Sequence, residues 1–228
     1  MGRERDLGIV RWAMIAPGGD EGHSSVIAAA DEAAIPAGIR RRMGRLERLA
    51  VRCALGVLDG EPTDELIFCS RNGNLETLLS LLRGIAGDEL LSPMAFSGSV
   101  HNATPGYIGQ IRNERIRHTA LAAGAKTLVS GLIEAYARLV CDKASDVTMV
   151  YADMVLPGLF GELADGLTHD VAFAVRLCLA DAVEAATSAG RITRIAEGWR
   201  GVEDFVEALG RGASRIGLGA VVELDAVA

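Results

Sequence analysis

The residues with the most chemical potential lie between Ser92 and Asn102, where Ser99, His101 and Asn102 closely follow Phe96. A serine and a histidine can act as nucleophile and base when one takes the other's proton. In an extended chain, a two-residue separation puts Ser99 and His101 on one face. No Gly-x-Ser-x-Gly turn surrounds the serine, however, and no carboxylate stands in sequence as a third member. The plainer expectation is that Ser99, His101 and Asn102 hydrogen-bond irregular backbone ahead of the next helix. Asp153, after an apolar run, reads as a turn or cap residue rather than an acid catalyst.

A second pattern is basic. Arg41, Arg45, Arg48 and Arg52 recur at helical spacing, opposite an apolar stripe. Such a row is either a solvated helix face or a surface for carboxylates and phosphate on a partner. Cys53, Cys69, Cys141 and Cys178 are scattered with no CxxC pair, so a zinc site is not expected. They read as reduced, buried thiols of a cytoplasmic protein. No Gly-Lys-Ser/Thr occurs, and no GxGxxG lies between a strand and a helix, so no phosphate loop or cofactor is expected.

The elements that position these residues alternate. Gly8–Ala16 reads as a strand ended by Pro17, and Val26–Ala34 is compatible with a helix. Pro36 opens a helix on which Ile39, Met43, Leu46, Ala50, Cys53 and Val57 form a stripe that must face a core, closed by Gly60 and Pro62. Strands follow at Leu66–Ser70, His118–Ala123, Val147–Ala152, Val171–Leu179 and Ile216–Leu224. Helices are expected at Leu75–Ile85, Thr104–Arg112 and Lys126–Val140, with an irregular stretch around Ser92-Pro93. Strands interleaved with helices make an α/β sheet with helical cover. The alternation of Val171–Leu179 adds an antiparallel portion, so the sheet is mixed.

The chain has 228 residues, 50% of them hydrophobic, enough to bury one core, and it carries no obvious linker or repeat. One domain, 1–228, is expected. A net charge of −7 argues against nucleic acid, which requires a basic face. The charged start, Met1–Asp6, does not read as a signal peptide, and no apolar stretch is long enough for a membrane span.

Three stretches together resemble one family: Ile35–Ala50 with its arginines, Ser70-Arg-Asn-Gly73, and Leu91–Gly106 with its Ser-Pro, Phe-Ser and Ser-Val-His-Asn-Ala. They are similar to the short β-ketoacyl-synthase-like N-terminal domain family, over about residues 8–156, with 157–228 a family-specific C-terminal part. The resemblance implies half of a thiolase-like fold. It also implies that the condensing cysteine, at the turn between a strand and a helix N-terminus where its pKa is lowered, would fall at Gly124 or Ala125. Neither forms a thioester, and Lys126 and Thr127 have no visible activating base. The family's decarboxylating His pair belongs to a second half that has no room here. No catalytic residue is therefore expected.

On this resemblance the chain is a silent subunit that pairs with an intact β-ketoacyl synthase, in the manner of a chain-length factor, in aryl polyene, polyketide or fatty acid type biosynthesis. Phe96, Ser99, His101, Asn102 and Lys126 are expected at the subunit interface or acyl tunnel. The row Arg41, Arg45, Arg48 and Arg52 is the candidate dock for an acyl carrier protein. Residues 182–212 are expected to cover the surface that a missing half leaves. Two other readings stay open: a small acyltransferase or thioesterase using Ser99 or His101, and a stand-alone acyl-binding protein.

Overall fold

The computed structural model describes residues 6–15, 29–141, 144–163, 166–180, 191–192, 195 and 198–217. Its centre is a sheet of seven strands: β1 (Leu7–Ile15), β2 (Glu65–Cys69), β3 (Arg117–Leu121), β4 (Val147–Asp153), β5 (Val171–Leu179), β6 (Arg191–Ile192) and β7 (Arg215–Ile216). Their order is β3-β2-β4-β5-β1-β7-β6. β2 pairs in parallel with β3 and β4, whereas β5 runs antiparallel to both β4 and β1. The sheet is mixed, as the alternation of Val171–Leu179 implied.

Period-two patterning divides the core between the two faces. Val147, Met149 and Tyr151 of β4 face one cluster, together with Val171, Phe173 and Val175 of β5. Val150, Ala152, Ala172 and Ala174 face the other. Both faces are covered, so all residues of β2 and β4 are buried.

Helix α2 (Arg45–Leu58) lies on the second face, where Ala50, Cys53 and Ala54 are fully buried. Small residues on both sides permit this close approach, and Cys53 Sγ reaches the Ala172 carbonyl at 3.4 Å. The single long helix expected from Pro36 is two. Pro36 caps a short α1 (Ala37–Arg40), and the chain turns before α2 starts at Gly44, its N-cap. Ile39 and Met43 still pack toward the same cluster, which is why the stripe looked continuous.

α3 (Leu75–Ala86) follows β2. The stretch around Ser92-Pro93 is a helix, α4 (Pro93–Ser99), and α5 (Ala103–Arg112) follows it at once. Within the segment expected to be helical before Pro36, only the 3-10 turn Glu32–Ala34 is regular, and Val26–Ala28 lie outside the described residues.

On the first face, α6 (Thr127–Val140) and α7 (Gly198–Gly210) lie over the sheet. Gly131 of α6 sits so close that a Cβ there would stand 2.5 Å from Cys69 Sγ. α7 contributes Trp199, Val202, Phe205 and Leu209 to the core, with the Phe205 ring 5.4 Å from that of Phe173. β7 then pairs with β1 at Leu7 and Gly8. The covering role expected of 182–212 falls on α7, while 182–190 lie outside the described residues. Of the last expected strand only Ile216 is seen, in β7, and 218–224 are likewise outside. No described helix is long and apolar enough to cross a membrane.

Candidate functional site

β2, β3 and β4 run in parallel, so their C-terminal ends meet on one side of the sheet, where α/β proteins commonly place their sites. A polar knot lies there. Asp153, the last residue of β4, is fully buried. Its Oδ1 accepts from the Ser70 hydroxyl at 3.0 Å and the Arg71 amide at 2.9 Å, and its Oδ2 from the Tyr151 hydroxyl at 2.6 Å. Burial raises its pKa above the usual carboxylate value, opposed by those hydrogen bonds. Asp153 is thus no turn or cap residue. A short carboxylate is what satisfies several buried donors at the ends of two strands, and turn preference alone missed it.

Ser70 links this carboxylate to the next loop. Its hydroxyl accepts from the Gly73 amide at 2.8 Å, and its carbonyl accepts from His101 Nε2 at 3.2 Å. The His101 ring lies 6.2 Å from that of Phe68. Gly73 adopts φ +62°, and a Cβ there would come within 2.6 Å of His101 Cε1. Ser70-Arg-Asn-Gly73 and Ser-Val-His-Asn, distant in sequence, therefore form one unit.

The knot leaves the proposed nucleophile and base engaged elsewhere. Ser99 ends α4, and its hydroxyl donates to the Phe96 carbonyl at 2.8 Å. His101 turns instead to Ser70. The extended geometry that would align the two does not exist, because a helix end and the start of the next helix separate them. Asn102 stands at the N-cap of α5 without a side-chain cap bond, and Phe96 is 63% exposed on α4.

Gly124, Ala125 and Lys126 form a 3-10 turn between β3 and α6, with Gly124 at φ +55°. Thr127 braces it, accepting from the Ala123 amide at 2.9 Å and donating to the Gly124 carbonyl at 2.7 Å. β3 has β2 on one side and forms the edge of the sheet.

The arginine row is divided. Arg41 lies in the turn after α1, exposed. Arg45 pairs with Asp170, and Arg48 donates to the Met43 carbonyl at 3.2 Å and faces Glu32. Arg52 donates to the Ala30 carbonyl at 2.8 Å. Three of the four hold the chain's own loops. Beside Arg45, a cleft of about 380 Å³ opens between the starts of α2 and α3 and the Met154–Pro157 loop. Asn74, Glu76 and Arg83 join apolar Leu46, Leu79 and Leu156 in its lining.

Among the described cysteines, all four are free thiols. Burial pushes Cys53 up to about 12, and raises Cys69 as well, so neither is a nucleophile at neutral pH. No described group of His, Cys, Asp and Glu could hold a metal ion.

The family model described as "Beta-ketoacyl synthase, N-terminal domain" matches residues 15–200, well over half of the chain. The chain belongs to the β-ketoacyl synthase N-terminal domain family. Its parallel β2–β3–β4 core, its antiparallel β5 and its turn at Gly124 are this family's thiolase-like architecture, as expected from the three stretches.

Among solved structures, the chain is similar to one from Xenorhabdus doucetiae, the ketosynthase ApeO in complex with its chain length factor ApeC. The match has 28% identity and a TM-score of 0.66, covering 76% of this chain and 79% of that one. The ishigamide ketosynthase/chain length factor matches at 17% identity and TM-score 0.61, covering 78% of this chain and 63% of that one. A β-ketoacyl synthase from Burkholderia phymatum matches at 12% identity and TM-score 0.52, covering 85% and 58%. These last two share the fold, and this chain spans less than two thirds of either. The first match is close to even in coverage, so its matched chain is about as long as this one. No curated protein matches the chain in sequence.

Proposed function

We propose that this chain is a catalytically silent, ketosynthase-like subunit that pairs with an intact β-ketoacyl synthase in the manner of a chain-length factor. The observation that carries this reading is the turn between β3 and α6. It has the strand–turn–helix form that would seat a nucleophile at a helix N-terminus, yet it presents Gly124 and Ala125, which cannot form a thioester. A scaffold kept without its reactive group serves through its surfaces.

The edge strand β3 is the first of these surfaces. Its outer side offers unpaired backbone groups, the usual template for adding a strand from another chain. Lys126 and the Gly124–Ala125 turn stand at its end and would border the partner. Phe96, with Val100 beside it, would supply apolar wall to an acyl chain held between the subunits. The cleft beside Arg45 is lined by charged as well as apolar residues, which suits a shared tunnel better than a stand-alone acyl-binding protein. The separate bonding of Ser99 and His101 gives no support to an acyltransferase or thioesterase on those residues. The arginine row contributes little to carrier docking, since Arg45, Arg48 and Arg52 are engaged within the chain. A cytoplasmic setting fits the free thiols.

Co-expression with the intact ketosynthase of the same pathway tests this reading. A stable complex that survives purification is expected. Failure to copurify with every ketosynthase of the host would contradict it.

A further inference from the structure

We propose that the outer face of the α3–α4 hairpin is a docking surface for an apolar helix face of the ketosynthase partner; this rests on the partner reading above. On α3, Leu78, Leu82 and Ile85 recur at steps of four and three and are 42%, 50% and 60% exposed. Such a stripe is the pattern of a helix that meets another helix. The connection and α4 add Leu90, Met94 and Phe96, each more than half exposed.

Together these six residues leave on the order of 800 Å² of largely apolar surface, above the roughly 300–600 Å² of the largest patch on a typical monomer. It is about what one partner contributes to a stable interface. Burying it would gain several times the stabilisation of a single core side chain.

Two observations separate this face from an unfinished core. The sheet surface beside α6 is already closed by α7 through Trp199, Phe205 and Leu209, so the exposed leucines are not the residue of that gap. The hairpin is also well anchored on its inner side. Leu79 and Leu81 are buried, Asn74 caps α3 by accepting from the Thr77 amide at 3.0 Å, and Ser92 caps α4. Leu91 folds back over Gly84, where a Cβ would stand 2.9 Å from its Cδ2. An apolar stripe on an anchored hairpin is a built surface.

The charges name the occupant's chemistry. Glu76, Asp88 and Glu89 outnumber Arg83 along the hairpin, so an acidic carrier protein or an anionic membrane would be repelled. An uncharged helix face from a protein subunit meets no such penalty.

The test is a binding titration of the purified chain against its ketosynthase, comparing wild type, Leu78→Ser and the double variant Leu82→Glu/Ile85→Glu. These side chains are about half exposed, so the variants are expected to keep the wild-type unfolding midpoint. Binding is expected to weaken about tenfold for Leu78→Ser and at least about 100-fold for the double variant. Wild-type affinity in the double variant would overturn the docking surface and leave the partner reading intact. A wild-type chain that does not bind the ketosynthase would instead sink the partner reading, and the docking proposal with it. Dimers of the wild-type chain alone, abolished by the double variant without loss of ketosynthase binding, would assign the face to a second copy and overturn the proposal.

Discussion

Tyr151 and Asp153 stand two residues apart on one face of β4, and the phenol donates to the carboxylate at 2.6 Å. The same carboxylate takes the Ser70 hydroxyl from the end of β2, so a single buried side chain fastens two parallel strands at the site end of the sheet. Asp153→Ala would leave these hydroxyls and the Arg71 amide without an acceptor. A loss of about 3–5 kcal/mol in chemical denaturation is expected. Asp153→Asn keeps an acceptor for Ser70 and Arg71, and Tyr151 can reverse to accept, so its loss is expected to be less than half as large.

The contact between Gly73 and His101 predicts a coupled pair. Gly73→Ala strains a φ of +62° and drives a methyl into the imidazole, costing about 1–3 kcal/mol. Adding His101→Ala removes the clash but not the strain. The double variant should therefore be more stable than the sum of the two single losses, in a double-mutant cycle read by urea unfolding.

Glu47 gives a pH signature. It is buried in the first turn of α2, where its Oε1 accepts from Asn74 Nδ2 at 2.8 Å, and burial raises its pKa. A carboxyl whose folded pKa exceeds its unfolded value contributes most when protonated, below the unfolded pKa. That contribution is lost as pH rises through the folded pKa. Glu47→Gln cannot undergo this loss. Its unfolding midpoint should therefore gain on wild type as pH is raised from 4 to 7, whatever the offset at pH 4.

Phe205 of α7 tests the cover on the first face. Its ring lies against Phe173, and it is 1% exposed. Phe205→Ala is expected to cost about 3–5 kcal/mol and to increase binding of a hydrophobic dye. A loss below about 1 kcal/mol would mean that α7 is not part of the core.

The sequence patterns that described the sheet well were those fixed by burial. β2, β4 and β5 follow from continuous or alternating apolar runs, and their mixed pairing from the alternation of Val171–Leu179. The helix after Pro36 misled because Ile39 and Met43 pack into the same cluster as α2, so periodicity runs through a turn that Gly44 makes. α4 was hidden by small residues, although Ser92 as cap and Pro93 at the first position announce a helix start. Once that helix forms, Ser99 and His101 part company. Asp153 and Ser70 were readable as polar ends of two buried strands, but only the parallel pairing of β2 with β4 brings them together. The exposed leucines of α3 carried the same periodicity as a core stripe, and sequence does not say which stripe finds its partner within the chain.

The most direct measurement is the mass of the assembled complex after incubation with an acyl-carrier donor. The chain and its ketosynthase would be weighed first intact and then as separated subunits. A one-to-one complex is predicted, with the acyl group on the ketosynthase cysteine and this chain at its unmodified mass. An acyl adduct on this chain, or two proteins that run apart at their own masses, would contradict a silent partner subunit.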